Sequence, residues 1–180
     1  SRENFSILSY NDFVILHEDL LEKYSVIESM EATKKCIFQN CDILLHEHSQ
    51  NYMLLSSLED EMNGKTKRMR LVSRQSQILS HLQELGQSMG RDPRDIILVF
   101  FQRLDESAHF AAFQEQVDEF IKRIQKRAVE KRIEIDAERL SDEASKVELG
   151  KGGLNPIEVL HSLPKPLREA FESQDINRLH

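Results

Sequence analysis

The stretch FAAFQEQVDEFIKRIQKRA, residues 110–128, decides the fold of this protein. Its apolar residues recur at intervals of three or four, which places them on one stripe of an α-helix. The members of this stripe are Phe110, Phe113, Val117, Phe120, Ile121, Ile124 and Ala128. Acidic residues stand four positions before basic ones in the pairs Asp118–Lys122 and Glu119–Arg123, an order that supports a helix. The stretch therefore predicts a long amphipathic helix.

This helix extends toward the C-terminus well beyond residue 128. No proline or glycine occurs from Glu106 to Val147. After Ala128 the apolar stripe thins, and charged residues separate its last members, which are Ile135, Leu140, Ala144 and Val147. A segment with so little apolar surface cannot be buried in a core. We therefore predict that residues 129–149 form the exposed half of a long connecting helix.

The sequence before residue 106 predicts five shorter helices. The first follows capping residues at 9–12, and its predicted core face consists of Phe13, Leu16, Leu20, Leu21 and Tyr24. A polar connection at residues 25–30 leads to a second helix that carries Ile37 and Phe38. The third helix is predicted from Ile43 to the Asn63-Gly64 pair, where glycine can adopt the left-handed conformation.

The fourth helix is predicted from Thr66 to Met89-Gly90. Asp92 and Pro93 are a favourable helix start, since Asp92 can cap free amides and Pro93 lacks only a donor that would be unused there. The fifth helix, residues 96–104, is apolar nearly all round, and we expect it at the centre of the bundle. The fold class is therefore all-α, with a helical bundle at residues 1–128.

Gly150-Lys151-Gly152-Gly153 predicts a domain boundary. Pro156, Pro164 and Pro166 then punctuate short amphipathic pieces. We predict that residues 150–180 begin a small C-terminal helical domain, which continues past His180 because so short a segment rarely has a core of its own. Because the chain starts at Ser1 without an initiator methionine, we expect it to be a piece of a longer protein.

Composition excludes several classes of function. The formal net charge of −7 argues against general nucleic-acid binding. The longest apolar run, residues 96–101, is too short to span a membrane, and no signal peptide is evident. Cys36 and Cys41 do not suggest a disulfide framework, so a reducing, cytoplasmic location is expected.

No catalytic, cofactor-binding or metal-binding motif is present in the sequence. His46 and His48 are only two positions apart, whereas chelation from one helix needs a spacing of three or four. Cys36 and Cys41 do not have the spacing of a zinc site. We interpret the cysteines as buried thiols and the histidines as surface residues, and we expect no enzyme, no cofactor and no metal.

Two features stand out against this background. A basic cluster of Lys65, Lys67, Arg68, Arg70 and Arg74 occupies the start of the fourth helix in an acidic chain. One interpretation is an ordinary solvated helix end. The other is an electropositive docking surface on which neighbouring Met69 and Leu71 provide apolar anchors.

The second feature is the apolar pair Val26 and Ile27, which lies in an otherwise polar connection. These residues are either loop anchors packed on the bundle or exposed contacts for a partner. Periodicity alone does not distinguish these two possibilities.

Two motifs resemble the cell-division-cycle 37 family of heat-shock protein 90 co-chaperones, and most closely a divergent paralogous branch of it. The first is LGQSMGRDPR at residues 85–94, followed by FFQRL at 100–104. The second, more specific motif is GKGGLNPIEV at residues 150–159, followed by Ser162-Leu163-Pro164. Together with Asn51-Tyr52 and residues 69–75, the similarity covers most of the chain.

The resemblance implies a helical middle domain that binds the N-terminal ATPase domain of heat-shock protein 90, followed by a long helix and a small helical domain. In the family, the chaperone contact combines the loop after the first helix with the start of a later helix. Carried onto this sequence, the contact consists of Val26, Ile27, Arg68, Met69, Leu71 and Val72. Other chaperone components and client proteins are further possible partners.

Two departures from the family pattern limit what the resemblance implies. The family has arginines just after the apolar loop contact, where one reaches the nucleotide pocket of the chaperone. This chain has Glu28-Ser29-Met30 there, so the resemblance does not carry arrest of the ATPase by that route onto this chain. The segment that engages kinases in the family has no counterpart in residues 1–180, so kinase clients do not follow from this sequence.

Two other functions remain open from the residues alone. The stripe from Phe110 to Ala128 could be the seam of a self-associating coiled-coil scaffold, because a seam and a core face have the same pattern. A homodimer is therefore possible. Nucleic-acid binding through residues 65–74 is the weaker alternative, since the basic patch is short.

Overall fold

The computed structural model describes residues 8–151, and the described residues contain seven α-helices and no β-strand. The helices are α1 (Tyr10–Ser25), α2 (Met30–Gln39), α3 (Cys41–Leu44), α4 (Glu47–Met62), α5 (Thr66–Met89), α6 (Pro93–Leu104) and α7 (Ser107–Lys151). The prediction of an all-α fold is confirmed.

Short polar side chains start three of these helices. The Ser9 hydroxyl accepts a hydrogen bond from the Asp12 amide at 3.2 Å, and Ser29 does the same for the Ala32 amide at 3.2 Å. Asp92 Oδ1 accepts from the Arg94 amide at 2.9 Å, with Pro93 at the first helical position. These bonds satisfy amides that have no partner within the helix.

Helix α5 organises the bundle. It packs most extensively against α4 and also contacts α1 and α6, while α2 packs on α6. The buried core is drawn from all of these helices and includes Phe13, Leu21, Tyr24, Ile37, Leu44, Met53, Met69, Val72, Ile78, Leu79, Leu82, Ile96, Ile97, Phe100 and Phe101. One continuous core therefore lies under α1 and α2. Residues 26–29 connect these two helices.

The first half of α7 belongs to the same core. Phe113, Val117, Phe120, Ile121 and Ile124 are buried in it. From Phe113 to Ile124 the stripe is therefore a core face, whereas Phe110, its first predicted member, is 46% exposed. A coiled-coil seam through this stripe would have to use residues that are already buried in the core, and self-association stays a prediction.

The chain divides into two compact units between Gln125 and Lys126. In the described part of the second unit, Val129, Ile133 and Ile135 are exposed, whereas Ala128 and Ala137 are buried. The predicted division of the chain into segments 1–128, 129–149 and 150–180 stays a prediction. The predicted small C-terminal domain lies almost entirely outside the described residues.

Four details of the sequence-based prediction are wrong. Leu16, assigned to the core face of α1, is 63% exposed. Helix α6 is not central, because Leu98 and Val99 face solvent while Ile96, Ile97, Phe100 and Phe101 are buried. An apolar run does not reveal which side of a helix the neighbouring helices leave uncovered.

The third error concerns residues 43–63, predicted as one helix. The structure breaks this segment between α3 and α4 at Leu45 and His46. His46 Nδ1 accepts a hydrogen bond from the His48 amide at 3.0 Å and thereby caps α4. Because histidine is not among the usual capping residues, sequence preferences gave no sign of this start.

The histidines near this break are not surface residues. The rings of His17, His46 and His48 pack around the buried Phe13 ring, with centroid distances of 4.7, 4.7 and 5.3 Å. His48 Nε2 lies 2.9 Å from the Leu8 carbonyl. The imidazoles therefore form part of the packing between α1 and α4. The prediction of buried thiols, by contrast, is confirmed for Cys36 and Cys41.

Candidate functional site

We call the connection between α1 and α2, residues 26–29, the docking loop. Val26 is 43% exposed, while Ile27 is partly buried and packs against the core. Ser29 ends the loop and caps α2. The loop therefore presents one apolar side chain to solvent and is anchored by the next.

The residues on each side of the loop are tied to α5. Tyr24 Oη donates to the Gln75 carbonyl at 2.8 Å, and Gln75 Nε2 donates to the Tyr24 carbonyl at 3.0 Å. The same Gln75 nitrogen reaches Thr33 Oγ1 of α2 at 3.1 Å. Because all three residues are fully buried, these bonds form away from competing water and fix the loop ends firmly.

Arg74 holds the loop itself. Its Nη2 donates to the carbonyls of Ile27 and Glu28 at 2.8 and 2.9 Å. Burial lowers the pKa of the guanidinium, although nearby Tyr24 and Glu28 oppose this shift. Arginine remains charged under such conditions, so the bonds to the carbonyls are charge-assisted.

At the start of α5, Arg68 joins three helices. Its guanidinium pairs with Glu22 of α1 and, at 3.0 Å from Nε, with Asp60 of α4. Tyr52 Oη also donates to Glu22, at 2.8 Å. Arg68 is thus committed to intramolecular partners, while Lys65 and other basic side chains of the cluster are exposed.

The two carboxylates that pair with Arg68 have opposite pKa shifts. Burial raises the pKa of Glu22, but the hydrogen bonds and charge of Arg68 and the bond from Tyr52 outweigh it, so the pKa is lowered overall. For Asp60, burial outweighs the opposing effect of Arg68 and the pKa is raised. The contacts around Arg68 therefore favour the ionised form of Glu22, whereas burial disfavours that of Asp60.

The structure brings the two predicted halves of the site together. The bonds of Arg74 and Gln75 join the docking loop to α5 across about fifty residues of sequence. On this surface, Val26 is exposed, and Ile27, Arg68 and Leu71 are partly exposed.

Two predicted site residues lie elsewhere. Met69 and Val72 are completely buried in the core. The prediction that Met69 is an exposed apolar anchor between charged residues is therefore wrong, because its side chain is buried. Its helical register points it inward, between the outward-facing Arg68 and Arg70. An influence of Met69 and Val72 on binding stays a prediction.

In the sequence, Arg74 is a member of the basic cluster, and no function was predicted for Gln75. A signal for Gln75 was present, because it lies between Val72 and Ile78 on the apolar side of α5. A glutamine at such a position must satisfy its amide inside the core.

In the described part of the chain, no cluster of three histidine, cysteine, aspartate or glutamate side chains is arranged to hold a metal ion. None of the described helices combines the length and the apolar content that crossing a bilayer requires. The docking loop places an exposed apolar residue on a fixed backbone next to basic side chains, a combination that is typical of protein interfaces.

Comparisons with known proteins agree with this architecture. A family profile described as "Cdc37 Hsp90 binding domain" matches residues 11–137. The "Hsp90 co-chaperone Cdc37" of Drosophila melanogaster is 32% identical over 169 residues, which are 93% of this chain and 43% of that protein. The proteins of the same name from Mus musculus and Homo sapiens are each 27% identical over 172 residues, 94% of this chain and 45% of theirs.

The chain thus spans less than half the length of the curated relatives that it matches. The profile match covers more than half of the chain and includes α1 to α6 and much of α7. Each of these relatives is named as an Hsp90 co-chaperone. The resemblance seen in the sequence is confirmed, and this chain belongs to the Cdc37 family through its Hsp90-binding domain.

Proposed function

We propose that this chain is a non-enzymatic, cytoplasmic co-chaperone adaptor. It binds the N-terminal ATPase domain of Hsp90 and helps to bring client proteins to that chaperone. The observation that carries this proposal is the match of residues 11–137 to the Hsp90-binding domain of the family. Cys36 and Cys41 are buried thiols, which agrees with a reducing compartment.

The proposed contact is the docking loop together with the exposed side of the α5 start. Val26 and the partly buried Ile27 and Leu71 provide the apolar centre. Exposed Lys67 and Arg70 provide positive charge around it. Interfaces concentrate affinity in a few apolar residues, whereas surrounding charges act mainly on the association rate and its salt dependence.

We do not propose that this chain arrests the Hsp90 ATPase. The resemblance places arginines where this chain has Glu28-Ser29-Met30, and Arg74, which contacts the loop, is bonded to the carbonyls of Ile27 and Glu28. We therefore expect Hsp90 to keep hydrolysing ATP when the chain is bound. A steady-state ATPase assay at saturating chain concentration measures this directly.

The binding test is calorimetric titration of this chain into the isolated ATPase domain of Hsp90. Val26→Asp places a charge at the proposed apolar centre, and we expect it to weaken binding by at least about tenfold, or about 1.4 kcal/mol. Val99→Asp is a matched control, because Val99 is 42% exposed on α6 and Val26 is 43% exposed on the loop.

Three outcomes distinguish an error in the proposed partner from an error in the proposed contact site. Binding by the wild type and by Val99→Asp, with loss in Val26→Asp, supports both the partner and the site. Equal binding by all three would place the contact elsewhere on the chain. A folded wild-type chain that produces no binding signal would refute the proposed function itself.

A further inference from the structure

We propose that Arg74 is a positioning residue that fixes the docking loop in its binding conformation before Hsp90 arrives. The expected consequence for Hsp90 binding rests on the proposed function. The fixing of the loop itself is a property of the free chain and can be measured separately.

The docking loop has few backbone bonds of its own. The Ile27 amide donates to the Tyr24 carbonyl at 3.3 Å, a long bond, and the Ser29 carbonyl accepts from the Thr33 amide at 3.0 Å as α2 begins. Between these points, the carbonyls of Ile27 and Glu28 accept from a single nitrogen, Arg74 Nη2. The conformation of the middle of the loop therefore depends on a side chain from another helix.

The Arg74 guanidinium is itself held in place. Gln75 Oε1 accepts from Arg74 Nε at 3.2 Å and from Nη2 at 2.9 Å. The amide nitrogen of the same Gln75 donates to Tyr24 before the loop and to Thr33 after it. One buried glutamine thus connects both loop ends to the arginine that holds the loop centre.

Arginine suits this arrangement better than lysine. Arg74 Nη2 lies within hydrogen-bond distance of both loop carbonyls and of Gln75 Oε1, and Nε adds a second bond to Gln75 Oε1 that orients the planar guanidinium. A lysine carries the same charge on one nitrogen and lacks the second donor atom that fixes this orientation. A loop that is already ordered loses less conformational entropy on binding, and this raises affinity without any added contact.

Arg70 provides a control within the same helix. It lies one turn before Arg74, carries the same charge and is exposed. If Arg74 acted only through its charge, Arg74→Ala and Arg70→Ala would weaken binding alike, and high salt would abolish both effects. A positioning residue acts through geometry, so its effect persists in high salt and is not rescued by lysine.

The experiment uses the full chain as wild type, Arg74→Ala, Arg74→Lys and Arg70→Ala. Binding kinetics with the Hsp90 ATPase domain are measured at low and high salt, and amide hydrogen exchange of residues 26–29 is measured in the free chain. Circular dichroism and urea midpoints report whether each variant is folded. Arg74→Lys, the milder change, keeps the test valid if Arg74→Ala does not fold.

We expect both Arg74 variants to weaken binding about tenfold at either salt concentration, mainly through faster dissociation. We also expect faster amide exchange in residues 26–29 of the free Arg74 variants. Amide exchange in the same residues of free Arg70→Ala should match that of the wild type. Unchanged loop exchange in the Arg74 variants would overturn the inference, as would full rescue of binding by lysine. Absence of wild-type binding would refute the proposed function, while the exchange data would still decide whether Arg74 fixes the loop.

Discussion

Tyr24 and Gln75 exchange two hydrogen bonds across the core. The Tyr24 hydroxyl donates to the Gln75 backbone at 2.8 Å, and the Gln75 side chain donates to the Tyr24 backbone at 3.0 Å. Both residues are completely buried. This reciprocal pair joins the end of α1 to the middle of α5, so it determines where the docking loop leaves the bundle.

The first prediction concerns the hydroxyl of this pair. Tyr24→Phe removes the donor to the Gln75 carbonyl without removing the ring. We expect the free energy of unfolding to fall by about 0.5–1.5 kcal/mol, the net contribution of one hydrogen bond, because the Gln75 carbonyl lies within α5 and still accepts there. Urea denaturation followed by circular dichroism measures the change. An unchanged urea midpoint would show that this bond contributes no net stability.

The second prediction concerns the amide of Gln75. Gln75→Leu keeps an apolar side chain of similar length but removes the donor to Tyr24 and Thr33 and the acceptor for Arg74. Since several buried polar groups lose a partner together, we expect a larger loss of stability than in Tyr24→Phe. Gln77→Leu, at a partly exposed position of the same helix, should stay within about 0.5 kcal/mol of wild type.

Substitution by alanine should change the stability of the chain in opposite directions at Gly86, inside α5, and at Gly90, just after it. Gly90 follows the last residue of the helix with φ of +61°, a left-handed conformation that costs other residues about 1–2 kcal/mol. Gly86 lies inside the helix, and a Cβ there would meet Ile96 Cδ1 at 3.7 Å, an ordinary contact.

We therefore expect Gly90→Ala to destabilise the chain and Gly86→Ala to stabilise it by about 0.5–1 kcal/mol, the difference in helix propensity. Thermal unfolding of the two variants against wild type tests the pair. A lower melting temperature for Gly86→Ala would mean that the α5–α6 contact does not tolerate the added methyl group.

Mild acid should weaken the packing around Phe13. Burial lowers the pKa of His17 in the folded chain, while the unfolded chain keeps an ordinary value of about 6.5. As the pH falls through that value, the unfolded state takes up a proton more readily, so stability decreases. In addition, the cap of α4 needs an unprotonated His46 Nδ1 to accept from the His48 amide.

Urea midpoints at pH 7.5 and pH 5.5 measure this effect, with the lower midpoint expected at pH 5.5. His17→Gln should reduce the difference between the two midpoints. His109→Gln is the control, because His109 is an exposed residue of α7 beside Glu106 and should leave the difference unchanged. A difference that is equal in all three proteins would exclude His17 as a source of the pH dependence.

Much of the fold could be predicted from local patterns. The starts of α1 and α6 follow from Ser9 and Asp92, whose side chains bond amides within the same turn. The break at His46 could not be predicted, because the imidazole cap is uncommon and the aromatic packing around Phe13 comes from a different helix.

The candidate site was only partly predictable. The apolar pair Val26 and Ile27 and the basic start of α5 were visible as departures from their surroundings. The exposure of these residues could not be predicted, because it depends on which helices cover them. Met69 and Leu71 are both apolar and only two positions apart, yet Met69 is completely buried while Leu71 remains partly exposed.

The sequence by itself determined that this chain is helical and where most of its helices begin and end, because capping, periodicity and left-handed glycines act over a few residues. It also carried the motifs that identify the Cdc37 family. Only the tertiary structure decided that Arg74 and Gln75 hold the docking loop, since their partners lie more than forty residues away. Hydrogen bonds between distant residues form only after the core has brought their helices together, so no local pattern encodes them.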